Sequence, residues 1–320
     1  MRVLSAVILF LAAAFAGQAE AQSYPSRPVR IVVGFPPGGT SDILARTIAA
    51  RLAEPLGQAV VVENRTGAGG NIGAESVAKA APDGYTLLMG TTSQAISQSL
   101  YKKLNYDLLK DFAPITQAVN YSNLLVVHPS AGVSNVAELL ALARAKPGVL
   151  NYGTAGNGTP PHMTGELFKS TTGVNILHVP YKGGAPAIID LVAGQIPMMF
   201  DNVPPLLPHV RSGRIRALAN TSLTRLSVLP EVPTLHESGL KGFDAVGWNG
   251  LLAPAGTPRE IVSRLHGEVA KILRAAEVRE QLTSQGADIV GNSPDEFTAW
   301  IRNEVTKWAG VVRTSGAKLD

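Results

Sequence analysis

The 320-residue chain contains no cysteine. Disulfides and thiol chemistry are therefore excluded, and the fold must be held by its hydrophobic core alone. Charge is sparse: Asp, Glu, Lys and Arg make up 16% of the residues, with a net charge of +4. The basic residues are dispersed, and without a Lys/Arg block no nucleic-acid partner is expected. A mild positive field still favours small anions. Catalytic signatures are missing too. There is no G-x-S-x-G elbow, no H-E-x-x-H and no G-x-x-x-x-G-K-[ST] phosphate loop. The histidines (His128, His162, His178, His209, His236, His266) lack metal-ligand spacing. Neither a metal nor a cofactor is expected.

Long apolar runs are scarce as well. Val3 to Ala16 is nearly continuous, but it is short of the ~20 residues a membrane span needs. It follows Met1-Arg2 and precedes Ala19-Glu20-Ala21, an A-x-A cleavage pattern. Residues 1–21 therefore read as a secretory signal peptide, and the remainder as a soluble, exported protein.

What is present is one arrangement used twice: a strand-like run, a glycine-rich turn and a helix. The first copy runs from Val29–Val33 into Phe35-Pro36-Pro37-Gly38-Gly39-Thr40-Ser41-Asp42. The second runs from Leu150–Gly153 into Thr154-Ala155-Gly156-Asn157-Gly158-Thr159-Pro160-Pro161-His162. Each puts unpaired N–H groups and the positive end of a helix dipole at a turn, which attracts anions. Two such turns, far apart in sequence, suggest two domains gripping one small anion.

From residue 28 onward, β-rich runs alternate with helical periodicity. Strands are expected at 29–34, 59–63, 85–90, 123–128, 149–153, 176–180, 196–201 and 215–220. Leu44, Ile48 and Leu52, or Ile188, Leu191 and Val192, mark helices between them. The pattern predicts an α/β fold of mainly parallel sheets flanked by helices. Residues 258–313 read as almost wholly helical. Thr257-Pro258-Arg259-Glu260 and Ser293-Pro294-Asp295-Glu296 look like capping boxes. One apolar stripe joins Ile261, Leu265, Val269 and Ile272; another joins Phe297, Trp300, Ile301, Trp308 and Val312. No low-complexity linker divides the chain, so Asn123–His128 and Phe243–Ala253 are candidate crossover strands. That predicts domain 1 as residues 22–126 plus 246–320, and domain 2 as 127–245, hinged around a cleft.

Candidate site residues follow. In the first turn, Phe35, Pro37, Gly38 and Gly39 bring backbone to a ligand, Thr40 or Ser41 caps the helix, and Asp42 suits its first turn. Gly67-Ala68-Gly69-Gly70-Asn71 has the wrong spacing for a dinucleotide fingerprint, but Gly69, Gly70 and Asn71 could form a third wall of donors. Thr92 and Ser93 offer hydroxyls at a strand end, or serve the next helix as caps. From the second turn come Thr154, Ala155, Gly156 and Thr159, with His162 as a possible donor to a carboxylate. Asp201, ending Met198-Met199-Phe200, could take an ammonium or a hydroxyl, or pair locally.

Several stretches resemble one family in order along the chain. They are Tyr24-Pro25-x-x-Pro28-x-Arg30-Ile31-Val32-Val33, Pro36-Pro37-Gly38-Gly39-x-x-Asp42 and Val62-Glu63-Asn64-Arg65-x-Gly67-Ala68-Gly69-Gly70-Asn71-Ile72-Gly73. Pro82-Asp83-Gly84-Tyr85-Thr86-Leu87, Tyr152-Gly153-x-Ala155-Gly156-x-Gly158-Thr159 and His178-Val179-Pro180-Tyr181-Lys182-Gly183 continue the match. Phe200-Asp201-Asn202 and Leu252-Ala253-Pro254-Ala255-Gly256-Thr257-Pro258 complete it. The chain resembles the Bug family, the TctC-like solute receptors of tripartite tricarboxylate transporters. The resemblance implies a two-domain periplasmic-binding-protein fold, with crossover strands as hinge, closing on a small carboxylate: an amino acid, a di- or tricarboxylate, or an aromatic acid. It implies that the loop matching Phe35–Asp42 holds the carboxylate through backbone groups and two waters, with Thr154–Thr159 contributing from the other domain. Thr92, Ser93 and Asp201 match positions that set specificity. The partner would be a membrane permease or, alternatively, a membrane sensor. An enzyme acting on a carboxylic acid is the least favoured reading.

Overall fold

The computed structural model describes residues 24–319. The expected signal peptide lies outside the described residues. Each expected strand forms, within two residues at most boundaries. The chain runs β1 (Val29–Val33), α1 (Thr40–Leu56), β2 (Val60–Asn64), α2 (Asn71–Ala78), β3 (Thr86–Thr91), α3 (Thr92–Leu100) and then β4 (Phe112–Val127). It continues through α4 (Val136–Ala145), β5 (Asn151–Thr154), α5 (Pro160–Thr172), β6 (Leu177–Pro180), α6 (Gly184–Val192) and β7 (Met198–Asn202). Then come α7 (Val203–Arg211), β8 (Arg216–Asn220), β9 (Val246–Pro254), α8 (Arg259–Arg274), α9 (Ala276–Thr283), β10 (Ala287–Ile289) and α10 (Pro294–Ser315).

The strands form one curled sheet in the order β2-β1-β3-β9-β4-β7-β5-β6, with β8 and β10 also paired to β4. Its two flanks are the expected parallel units, β2-β1-β3 and β6-β5-β7. The middle is not parallel. Strands β4 and β9 run antiparallel to each other, and β3, β7, β8 and β10 pair antiparallel to one of them. A chain that leaves one half on β4 and returns on β9 must traverse the same seam in opposite directions, so the sheet is mixed rather than mainly parallel.

Strand β4 is sixteen residues long and belongs to both halves. Through Ser122 it pairs with β9; from Asn123 onward it pairs with β7 and β8. At the changeover Asn123, Thr221 and Ala245 are bound together. The Thr221 hydroxyl accepts from the Asn123 N–H at 3.0 Å and donates to the Ala245 carbonyl at 2.7 Å. Both faces of β4 are buried. Leu124 and Val126 join the apolar cluster of one half with Met199, Val203 and Leu206, while Leu125 and Val127 join the largest cluster, which runs through both halves.

The C-terminal stretch is interrupted, because β10 pairs with β4 there. The capping box at Ser293 and Glu296 forms. The one expected at Thr257 does not: Pro258 precedes α8 without a side-chain cap, and the Thr257 hydroxyl donates to the Pro254 carbonyl instead. Trp300 is exposed, whereas Phe297, Ile301, Trp308 and Val312 are buried. Helix α10 lies over α3 and reaches across to α5. Phe297 meets Trp248 of β9 edge-on, ring centroids 5.3 Å apart, so a late helix positions a central strand. Phe297→Ala should cost about 3–5 kcal/mol of folding stability. Chemical denaturation checks it; a loss under about 1 kcal/mol would show that α10 does not support β9.

Candidate functional site

A cavity of about 710 Å³, its mouth included, opens where the two halves face each other. The first glycine turn, the second glycine turn, the β6–α6 turn, the end of β7 and the start of β9 all reach its wall. Helices α1, α6 and α7 begin here, and none has a side-chain cap. The expected cap at Thr40 or Ser41 is absent because Gly39 takes the N-cap position. The Thr40 hydroxyl instead accepts from Asn202 Nδ2 at 3.3 Å, and the Ser41 hydroxyl accepts from Asn249 Nδ2 at 2.8 Å. The first N–H groups of a helix have no intrahelical acceptor, so uncapped starts aimed at one cavity favour an anion. Pro204 and Pro205 remove donors from the first turn of α7, so α1 and α6 supply most of the N–H groups.

Of the sequence-based candidates, Phe35, Pro37, Gly39, Thr40, Ser93, Ala155, Thr159 and Asp201 line this cavity. Gly69, Gly70 and Gly156 line a second, adjoining cavity. Gly38, Asp42, Asn71, Thr92, Thr154 and His162 line neither. These six brace the walls. Asp42 accepts from the Gly38 N–H at 3.0 Å, from Asn64 and from Arg46. Burial opposes its charge, but these partners hold its carboxyl below the ordinary value. Asn71 accepts from the Tyr106 hydroxyl. The Thr92 hydroxyl accepts from the Trp248 N–H at 2.8 Å and so ties β9 to α3.

Under the second turn, His162 Nδ1 accepts from the Gly158 N–H, and His178 Nε2 meets the Thr154 hydroxyl at 2.7 Å. The two imidazoles stack with centroids 4.2 Å apart. Burial lowers His162 to about 4; burial and its neighbour lower His178 to about 3. Both are neutral at physiological pH and support the second turn.

Residues that sequence reasoning gave no binding role also form the wall: Tyr121, Pro205, Gly247, Trp248 and Asn249, with Gly183 and Gly184. Trp248 and Asn249 lie on a crossover strand, and only the β4–β9 register brings them to the cavity. The quoted Lys182-Gly183 motif was the signal for the β6–α6 turn.

Among the described residues, no Lys, Arg or His lines the cavity. Its acid is Asp201, 3% exposed. One carboxylate oxygen accepts from the Asn202 N–H at 2.8 Å, and the other, Oδ2, has no partner among the described residues. A Cβ at position 184 would come within 2.3 Å of Oδ2, so only glycine fits beneath this carboxyl. The Ser93 hydroxyl is likewise buried and unpartnered. Burial, partly offset by the Asn202 N–H, pushes Asp201 up to about 7.

An acid whose folded pKa lies above its unfolded value binds more protons when folded. It therefore costs stability progressively as pH rises from about 4 to about 7. Asp201→Asn should stabilise the unliganded protein at pH 8 by an amount on the order of a few kcal/mol, and the gain should vanish near pH 4. Thermal melts of both proteins across that range check it. An Asn variant less stable at pH 8 would show that the charged carboxylate is paired.

The chain matches the family model for the tripartite tricarboxylate transporter family receptor over residues 44–317. It is 40% identical to the protein BugT of Bordetella pertussis, over 99% of this chain and 98% of that one. Among solved structures, the R. palustris protein Rpa4515 with adipate has 41% identity and a TM-score of 0.90, covering 92% of this chain and 100% of that one. MatC from Rhodopseudomonas palustris with bound malate has 35% identity and a TM-score of 0.87, over 90% and 100%. The uncapped turns and the two-lobed α/β framework are thus those of a periplasmic-binding-protein fold, and the chain belongs to the tripartite tricarboxylate transporter receptor family.

Proposed function

We propose that the protein captures a small carboxylate in the inner cavity, in the periplasm, and presents the closed complex to permease subunits of a tripartite transporter. The reading rests on one observation: uncapped helix starts converge on a buried cavity that contains no cation. An anion placed there satisfies orphan N–H groups, and charge-assisted bonds of this kind are short and strong. The adipate and malate held by two relatives are of the same chemical class. The described residues of 22–126 and 246–320 form one lobe and 127–245 the other, turning about β4 and β9 as they close. The Asn202–Thr40 contact across the cavity is one bond that opening breaks. The protein acts as a monomer and returns its ligand unchanged.

Asp201 then sets a condition on the ligand. Two unpaired negative charges would be costly in so buried a site, so Asp201 donates a proton to a plain or hydroxylated acid. In a thermal-shift screen, a cognate acid at ~100 Kd should add about 2.7 kcal/mol, and its amide should add nothing. Affinity for the acid should fall as pH rises through about 7. Equal shifts from acid and amide would contradict the carboxylate reading. Affinity that rises with pH would instead put a ligand ammonium on Asp201.

A further inference from the structure

Beside the inner cavity lies an outer one of about 1140 Å³, mouth included. The two share Phe35, Pro36, Ala155 and Gly183, so they adjoin along a mostly apolar lining. The outer cavity differs in its charge. Among the described residues, Lys182 lines it, no acidic residue does, and Lys182 makes no ion pair.

Its opposite wall is the turn before α2. Gly67, Ala68, Gly69 and Gly70 all have positive φ, and Ala68 (φ 48°) is the lone non-glycine residue with that geometry among the described residues. Among those residues, no hydrogen bond engages the N–H groups of Ala68 and Gly69. Successive N–H groups in such a turn form a concavity suited to an anion. Tyr101 lines the same space. The two lobes close on each other here: a Cβ at Gly69 would lie 2.6 Å from the Asn157 carbonyl oxygen.

We propose that the outer cavity is a second anion subsite, which takes the distal carboxylate of an elongated diacid whose first carboxylate sits in the inner cavity. This rests on the carboxylate reading above. The shared lining suits methylenes, and a chain lying along it delivers its second acid to a cavity in which Lys182 is the one cation among the described residues. The inner cavity offers that second acid no cation, only Asp201.

The test is calorimetry on the purified protein with three ligand sets: monocarboxylates, α,ω-dicarboxylates of increasing length, and the half-amides of those diacids. Each is run on the unaltered protein, Lys182→Met and Lys182→Arg. Long diacids should bind about tenfold more tightly than their half-amides. That advantage should vanish in Lys182→Met, persist in Lys182→Arg and weaken with added salt. Monocarboxylate affinity should be the same in all three proteins. Monocarboxylates that bind while the diacid advantage is absent, or survives in Lys182→Met, would overturn the outer subsite and leave the inner site standing. No binding by any acid would overturn both.

Discussion

Three helices begin at one buried cavity without a side chain to accept their first N–H groups, and the rest of the molecule is arranged around that deficit. Such orphan donors are normally satisfied by caps or water. Other helices of this chain are capped: Asn135 and Ser293, which do not line the cavity, and Thr91 and Thr159, which do, all accept from helix N–H groups. At the cavity, glycine occupies the corresponding place before α1 and α6. The available hydroxyls of Thr40 and Ser41 are held by Asn202 and Asn249. What is left, on the proposed reading, is a binding surface made of backbone, whose charge preference comes from dipoles rather than from a lysine or arginine.

A backbone site must be held rigidly, since its donors cannot swing toward a ligand. The polar residues one layer back do this. Asp42 locks the first turn through Gly38, Arg46 and Asn64. The stacked, neutral His162 and His178 support the second through Gly158 and Thr154. Thr92 and Phe297 hold Trp248 from two sides. Asp201 and Ser93 differ: each leaves an oxygen without a partner among the described residues, that of Asp201 over Gly184, which leaves room for it. A family built on one backbone scaffold can vary its ligand through such a side chain without disturbing the anion-holding turns.

Much of this was legible in the residues. Strand runs such as Val29–Val33 and Met198–Phe200 are apolar, β-rich and bounded by glycine or proline, so local pattern and tertiary fold agree. The family motifs carried the two-lobed plan. The misses come from contacts that local pattern does not contain. Ala287-Asp288-Ile289 is a strand because β4 offers it an edge, not because three residues announce one. Trp248 and Asn249 reach the cavity through the register of β9 against β4. Asp42, Thr92, Thr154 and His162 stand in turns where ligand contacts are expected, yet they line neither cavity. Their polar atoms are engaged by neighbours that are distant in sequence or set by the turn's own geometry.

The central claim is that backbone N–H groups, not a basic side chain, hold the first carboxylate. The most direct measurement is a crystal structure of the protein with a monocarboxylate that stabilises it. The account predicts the carboxylate oxygens between the Phe35–Ser41 turn and the Ala155–Thr159 turn, bonded to N–H groups directly or through water, with no lysine or arginine in reach. A carboxylate anchored on a basic side chain, or bound outside the cleft between the two lobes, would contradict it.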